Sequence, residues 1–576
     1  MKKLLKYLSE YKRESILGPL FKLLEASFEL LVPLVMARVI DIGIKNHDLT
    51  YILSMGGILV LLGIIGLACS ITAQYFAAKA AAGFGTSLRN DLFAHINSLS
   101  YQEIDTIGTA TLITRMTSDV NQVQSGVNLF LRLFLRSPFV VFGAMIMAFT
   151  IDVKAALIFV VSIPVLSIVV FGIMIFSMPL YKKVQKQLDR VLLTARENLG
   201  GVRVIRAFNR QNDEVRRFDE ENGMLVKLQV FVGKISALMN PLTYVIINLA
   251  IIVLINTGAN RVEEGIITQG QVVALVNYMS QILVELVKLA NLIITISKSL
   301  ACANRISSVF SMESGIKETS HNNVKEETDA PEVEFDKVSL FYQGAKAESL
   351  AGIGFQVMKG ETIGIIGGTG SGKTTLVNLI PRFYDVSGGS VKVGGINVRN
   401  YPLSQLRKMV GIVPQRAVLF KGTIRENMQW GKRDASDEEI YRALTIAQAK
   451  VFVDEKGEGL DFLIQAGGKN LSGGQRQRLT IARAIVKDPR ILILDDSASA
   501  LDFATDARLR KAIKEETKDM TVFLVSQRAS TIRNADRIIV LDDGKMAGCG
   551  KHKDLMESCE VYREICLSQL SEKEVQ

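Results

Sequence analysis

The segment whose residue types and spacing most directly specify chemistry is Gly367-Gly368-Thr369-Gly370-Ser371-Gly372-Lys373-Thr374-Thr375. Its glycines let successive backbone N–H groups turn toward phosphate oxygens at a helix amino terminus. In the G-x-x-x-x-G-K-[ST] spacing, the lysine reaches the β- and γ-phosphates and the hydroxyl residue ligates Mg²⁺, roles that fall to Lys373 and Thr374. A second locus, Arg490-Ile-Leu-Ile-Leu494, ends in Asp495 and Asp496. A carboxylate at the tip of such an apolar strand is placed to hold Mg²⁺ across from the phosphate loop. Between the two lies Leu471-Ser472-Gly473-Gly474-Gln475. Its Ser-Gly-Gly can open a helix onto an anion, although a glycine pair taken alone is only a turn.

These residues need elements to hold them. Strand-like Thr362-Ile-Gly-Ile-Ile366 runs into the glycine loop, and an apolar helix follows from Leu376. Upstream, residues 311–332 carry Gly315, Pro331, six acids and two lysines without an apolar period, which reads as a linker. From 333 to 576 the chain alternates strands and helices, so an α/β nucleotide-binding domain is expected there. From 1 to 310 the pattern is different. Residues 49–78, 155–181 and 235–260 form uncharged stretches of 30, 27 and 26 residues, and 265–284 adds one of 20. Each reaches the ~20 apolar residues that a helix needs to cross a hydrocarbon core. Two weaker candidates, 16–37 with Lys22, Glu25 and Glu29 and 129–151 with Arg132 and Arg136, complete six expected spans. The fold class is therefore a multidomain membrane protein, an all-α six-helix transmembrane domain followed by an α/β domain.

Bulk composition conceals this division. Of 576 residues 48% are hydrophobic and 22% charged, values close to a soluble average, yet mean hydropathy is +0.24. Disorder, collagen-like repeats and a small disulfide scaffold are excluded. Loops near 41–48, 152–154 and 261–264 are poor in Lys and Arg. Segment 182–234 carries twelve basic residues, and Lys2, Lys3, Lys6, Lys12 and Arg13 crowd the amino terminus. Positive charge stays on the cytoplasmic side, so both termini are expected there. The net charge of +10 belongs to topology and anionic lipid, with no nucleic-acid partner. Leu4, Leu5, Leu8 and Tyr11 fall at helical spacing, as in a helix lying in the interface. The five cysteines show neither a CxxC pair nor metal spacing, consistent with free thiols.

At this point the sequence resembles a known family. Leu471–Gln475 is similar to the signature of ATP-binding-cassette proteins, Gln415 in Val-Pro-Gln to the Q-loop, and Ser499-Ala-Leu-Asp502 to the D-loop. Tyr342 looks like the aromatic that stacks on adenine. With six spans ahead of the cassette, nearly the whole chain resembles an exporter half-transporter, which implies a bacterial inner membrane as its location. The resemblance implies ATP and Mg²⁺ as cofactors, with Thr374, Gln415 and Asp495 on the metal. It implies two cassettes closing head to tail around two ATPs. It also makes the polar pieces at about 104–112 and 207–218 candidate coupling helices.

The chain departs from that pattern at two hydrolytic positions. Asp496 stands where the family carries Glu, one methylene short of the usual reach by ~1.5 Å. Gln527 stands where it carries His, and can hydrogen-bond but neither titrate nor hold positive charge. Ser497-Ala498 replaces the usual Pro-Thr, and Ala466 a Glu that commonly precedes the signature. The expectation is a heterodimer, with a homodimer as the alternative, in which this chain's own site binds ATP and hydrolyses it slowly, while its signature completes a competent site on a partner subunit. The expected cargo is a drug or another lipophilic or amphipathic small molecule, with peptides and lipids open. A nucleotide-gated membrane regulator without export is the alternative. Glu25 and Glu29 are candidate cavity residues because ionisable groups in a span usually face protein or water. Glu29 ranks first, having no basic residue near it in sequence, whereas Lys22–Glu25 and Glu285–Lys288 can pair internally.

Overall fold

A computed structural model describes residues 4–316, 329–342, 344–497, 499–517 and 519–569, which divide into two units. The first gathers 4–97 and 110–312, and the second 98–109 and 313–569. Lys2, Lys3, residues 317–328 of the expected linker, and Ala498 lie outside the described residues.

Through the first half the chain is helical. Its helices are α1 (Lys12–Arg38), α2 (Leu49–Ser98), α3 (Tyr101–Ile107), α4 (Thr109–Thr114), α5 (Val120–Leu133), α6 (Arg136–Ile151), α7 (Val153–Gly200), α8 (Val202–Ala207), α9 (Gln211–Ala237), α10 (Met239–Glu263) and α11 (Gln269–Phe310). Among the described residues, five helical stretches are long and apolar enough to cross a membrane: 49–98, 109–151, 153–200, 211–263 and 269–310. The sixth expected span, α1, has the length at 27 residues but carries Lys22, Glu25 and Glu29. Leu53, Val60, Ile64 and Ile71 stand mostly exposed along α2, as residues facing lipid must.

Helix α11 is the hub of the first unit, packing against α1, α5, α6, α7 and α10. Its fully buried Tyr278 donates from Oη to the Leu30 carbonyl at 2.6 Å. Small residues permit the close crossing with α1: a Cβ on Gly270 would lie 2.3 Å from the Ala37 carbonyl oxygen. The same glycine donates its N–H to Asp41 Oδ1 at 2.8 Å. At the turn between α6 and α7, Asp152 caps α7 and accepts two bonds from Arg261, at 2.8 and 3.0 Å.

Three local expectations shift. The piece expected at 104–112 is broken by Gly108 at φ 81, leaving α3 before it and α4 after it. The piece at 207–218 straddles a break at Asn209, φ 53, so the short helix is α8 and the charged run opens α9. Leu4–Tyr11 is a 3₁₀ helix whose Leu4 and Tyr7 share one buried face, and Tyr7 Oη donates to Asp91 of α2 at 2.8 Å. That face is spent on protein rather than on lipid, because i and i+3 eclipse in a 3₁₀ helix.

The second unit is α/β. A six-stranded sheet runs Lys545–Gly550, Arg537–Asp542, Thr362–Gly367, Thr521–Val525, Ile491–Asp495, Val410–Val413, parallel except for the first strand. Its central strands are buried on both faces, which is why they read as unbroken apolar runs instead of alternating. A four-stranded antiparallel sheet, Leu350–Val357, Val333–Leu340, Gly388–Val393 and Ile396–Asn397, shares a core with one face of the six-stranded sheet, Phe335, Ile353 and Val391 meeting Ile363, Ile491 and Phe523.

The α1–α11 crossing yields a stability prediction. Gly270→Val should lower the melting temperature of the detergent-solubilised full chain by the equivalent of about 1–3 kcal/mol, the usual cost of overpacking. Scanning fluorimetry beside the wild type checks it, and an unchanged midpoint would contradict the crossing.

Candidate functional site

The site grows from the ends of three neighbouring parallel strands. Thr362–Gly367 delivers the glycine loop, Ile491–Asp495 delivers Asp495 and Asp496, and Thr521–Val525 delivers Ser526 and Gln527. Their register pairs Ile365 with Val525 and Val525 with Asp495, so the three loops leave the sheet at one level. Ligands of open parallel sheets bind in such a crevice beyond the carboxyl ends of the strands.

Two glycines here have no substitute. A Cβ on Gly367 would lie 2.1 Å from the Leu541 carbonyl oxygen, and Gly372 opens the helix Lys373–Asn378 from the left-handed region at φ 93. Lys373 lies back over the loop, its Nζ donating to the carbonyls of Gly367 at 2.9 Å and Gly368 at 2.6 Å, with Ser371 Oγ at 3.4 Å. Burial pushes its ammonium pKa down, opposed by the carboxylates of Asp496 and Asp495. Thr374 Oγ1 donates to Asp495 at 2.9 Å. Burial pushes the Asp495 carboxyl up, and the Thr374 bond pulls the other way.

These groups face a cleft of about 570 Å³ lined by Thr369, Gly370, Gly372, Lys373, Thr374, Thr375, Gln415, Asp495, Asp496 and Gln527. Gln415 Nε2 donates to Asp496 Oδ2 at 3.2 Å. Asp496 has a left-handed backbone, φ 46, fixed by its N–H donating to the Val525 carbonyl at 2.9 Å. The Gln527 side chain is exposed, while its carbonyl accepts from Gln569 Nε2 at 2.8 Å. A glycine cradle, a lysine and hard oxygen donors on Thr374 and Asp495 fit a nucleotide triphosphate with Mg²⁺.

Other sequence candidates stand outside this cleft. Ser472 caps the helix Gly473–Ile485, its Oγ accepting from Gln475 N at 3.2 Å while Gln475 Oε1 accepts from Ser472 N at 2.9 Å. Ser472 and Gly473 are exposed, and Leu471 and Gly474 pack beside them. Asp502 is committed to capping the helix Phe503–Glu516, accepting from Thr505 N and Oγ1, and the first of these bonds holds its carboxyl below the ordinary range. Tyr342 donates to Thr375 Oγ1 at 3.2 Å and meets Tyr384 edge-on, ring centres 5.2 Å apart.

The sequence reading missed two groups. Asp543 and Gly544 line the cleft from a two-residue hairpin turn, φ 42 and 76, and an Asp-Gly pair between strand-like runs is the signal that was available. Tyr384 is the second. Its Oη donates to Asp105 of α3 at 2.6 Å, and its neighbour Phe383 packs against Tyr101 of α3 at 4.6 Å. No local pattern announces a contact spanning 279 residues.

Comparison with known proteins bears on the same residues. The model of the ABC transporter transmembrane region matches residues 15–286, and that of the ABC transporter matches 350–499. An uncharacterized ABC transporter ATP-binding protein of Mycobacterium tuberculosis is 35% identical over 98% of this chain and 97% of its own length. A Bacillus subtilis protein provisionally named as a multidrug export ATP-binding/permease protein is 32% identical over 98% of both chains. The ATP-dependent lipid A-core flippase of Desulfotalea psychrophila is 34% identical over 81% of this chain and 82% of its own. A solved bacterial Atm1-family ABC exporter with ATP bound superposes with a TM-score of 0.80 at 23% identity, covering 97% of this chain and 99% of that one.

Removing the charged donor should show directly in binding. Lys373→Ala should weaken ATP binding to the purified chain by at least about tenfold, the worth of one charge-assisted hydrogen bond. Titration calorimetry with Mg²⁺ and ATP measures it; unaltered affinity would remove Lys373 from the site.

Proposed function

Because this chain belongs to the ATP-binding-cassette transporter family, as a multi-pass membrane protein and ATP-driven exporter, we propose that it is the subunit of a heterodimer whose own phosphate-loop site is weakly hydrolytic. One observation carries the reading. The groups that would hold nucleotide and metal, Lys373, Thr374 and Asp495, converge on one cleft, while the two groups that would act on water, Asp496 and Gln527, both depart from the family's Glu and His. The carboxylate of Asp496 already accepts from Gln415 on the shorter arm. A displacement of ~1 Å at a reacting group can cost about 100-fold in rate.

The signature residues Leu471–Gln475 lie off this cleft, and Ser472 and Gly473 are exposed. In this reading they complete the nucleotide site of a partner subunit that carries the missing Glu and His. ATP would bind at both sites and be turned over mainly at the second. Tyr342 stacks on adenine, and Thr374, Asp495 and Gln415 hold Mg²⁺. Helix α3 is the coupling element on the cassette, seated through Tyr101 and Asp105. Helix α8 is its counterpart; Val204 and Phe208 at that end of the unit are 61% and 74% exposed, a surface suited to a second chain. Both termini lie on the cytoplasmic side.

The cargo is a lipophilic or amphipathic small molecule moved outward from the cytoplasm or inner leaflet. Two relatives support that class, one named for multidrug export and the other as a lipid A-core flippase.

The test restores the two departures in the assembled complex. Asp496→Glu with Gln527→His should raise hydrolysis at the Lys373 site by at least about tenfold, part of the range expected for a correctly placed group. Vanadate-trapped nucleotide recovered on this chain reports that site separately. No increase would mean that these residues do not limit it. Robust ATPase and transport by the chain alone would overturn the heterodimer.

A further inference from the structure

The first unit holds a cavity of about 430 Å³ between α1, α6 and α11 that the nucleotide chemistry does not use. Its apolar wall comes from α1 and α6 with Val32, Pro33, Met36 and Val140, and its polar wall carries Glu29, Glu285 and Lys288. Arg136 stands behind that wall and ties its two carboxylates together. Nη1 donates to Glu285 at 2.5 Å and Nη2 to Glu29 at 2.6 Å. Glu285 is saturated, for it also accepts from Ser137 Oγ at 2.8 Å and from Lys288 Nζ at 2.8 Å. Glu29, expected to be unpaired, therefore has a basic partner 107 residues away. Glu25 does not line this cavity; it is closed against Lys22 at 2.5 Å, whose Nζ also reaches Ser70.

This arrangement alters what the cavity can recognise. Two cations and two carboxylates balance, so the wall has no net attraction for a simple cation. Its accessible charges are one of each sign: the side chains of Glu29 and Lys288 are 41% and 44% exposed, whereas Arg136 and Glu285 are buried. An ammonium has three donors, and Lys288 uses one on Glu285. Ionised groups within a span are costly and call for partners of opposite charge. We propose that this cavity is a binding site for a zwitterionic amphiphile, whose cationic end meets Glu29, whose anionic end meets Lys288, and whose hydrocarbon lies along Val32, Met36 and Val140.

The proposal rests on the export reading, and its test separates the two. The full chain is reconstituted with its co-purifying partner in phosphatidylglycerol vesicles. ATP-dependent movement is then followed for single-chain fluorescent probes with one shared tail. Their heads are phosphoethanolamine, sulfobetaine, trimethylammonium and carboxylate. The zwitterionic heads should move fastest. Glu29→Gln should shift preference toward the carboxylate probe and Lys288→Gln toward the trimethylammonium probe, each by about tenfold for one charged hydrogen bond. Equal movement of both zwitterions marks charge recognition alone; preference for phosphoethanolamine marks a phospholipid headgroup, and both uphold the site. The wild-type ranking stands by itself should a variant fail to assemble. A wild type that prefers trimethylammonium, or variants that lose all probes equally, would overturn the proposal and leave Arg136 a brace. If an uncharged lipophilic dye moves while no probe does, the proposal falls and export stands. If nothing moves while ATP is consumed, the export reading falls with it.

Discussion

The parallel ladder that sets Ile365 beside Val525, and Val525 beside Asp495, fixes where every reactive group of the nucleotide cleft can stand. Side chains alternate faces along a strand, so a slip of one residue would turn Asp495 away from Thr374 and bring an apolar neighbour to the sheet edge. Burial on both faces prevents that slip. All five residues of Ile491–Asp495 and of Thr521–Val525 are inside, and moving either would expose or crowd a core on each side. The chemistry at the strand tips is thus held by apolar packing several residues away. Gly367 extends the same logic, because its approach to the Leu541 carbonyl leaves no space for a side chain.

The two units solve the burial of polar groups differently. In the cassette the polar atoms converge on a cleft that is open to water, where burial pushes Lys373 down and Asp495 up. In the helical unit, polar groups are paired within the protein: Asp152 with Arg261, Lys22 with Glu25, and Arg136 with two carboxylates. Protein pairs are the available solution where hydrocarbon offers no hydrogen-bonding partner.

What the sequence revealed follows from the range of each interaction. Uncharged runs of membrane length, the glycine loop and the Ser472–Gln475 capping box are local, and their residue types state their geometry. The parallel pairing of Thr362–Gly367 with its neighbours follows from the alternation of strand and helix. Boundaries were displaced where one residue in a left-handed conformation, Gly108 or Asn209, broke a helix that composition alone would continue. Pairings across the chain had no signal. Nothing near Glu29 indicates Arg136, and nothing near Asp105 indicates Tyr384. In a single sequence Arg136 even counted against its own span, although its charge is what ties α6 to α1 and α11.

That tie has a consequence for how the protein can diverge. Positions 29, 136 and 285 sit on three helices, yet one guanidinium satisfies carboxylates on two of them. A neutral residue at 136 leaves Glu29 without its basic partner and the buried Glu285 with only Lys288 and Ser137, and a neutral residue at 285 leaves Arg136 and Lys288 without the anion they share. In a lineage of such chains the three codons should therefore be inherited as one character. They should be kept together or exchanged together for an apolar set, as a correlated replacement rather than as a single mutation.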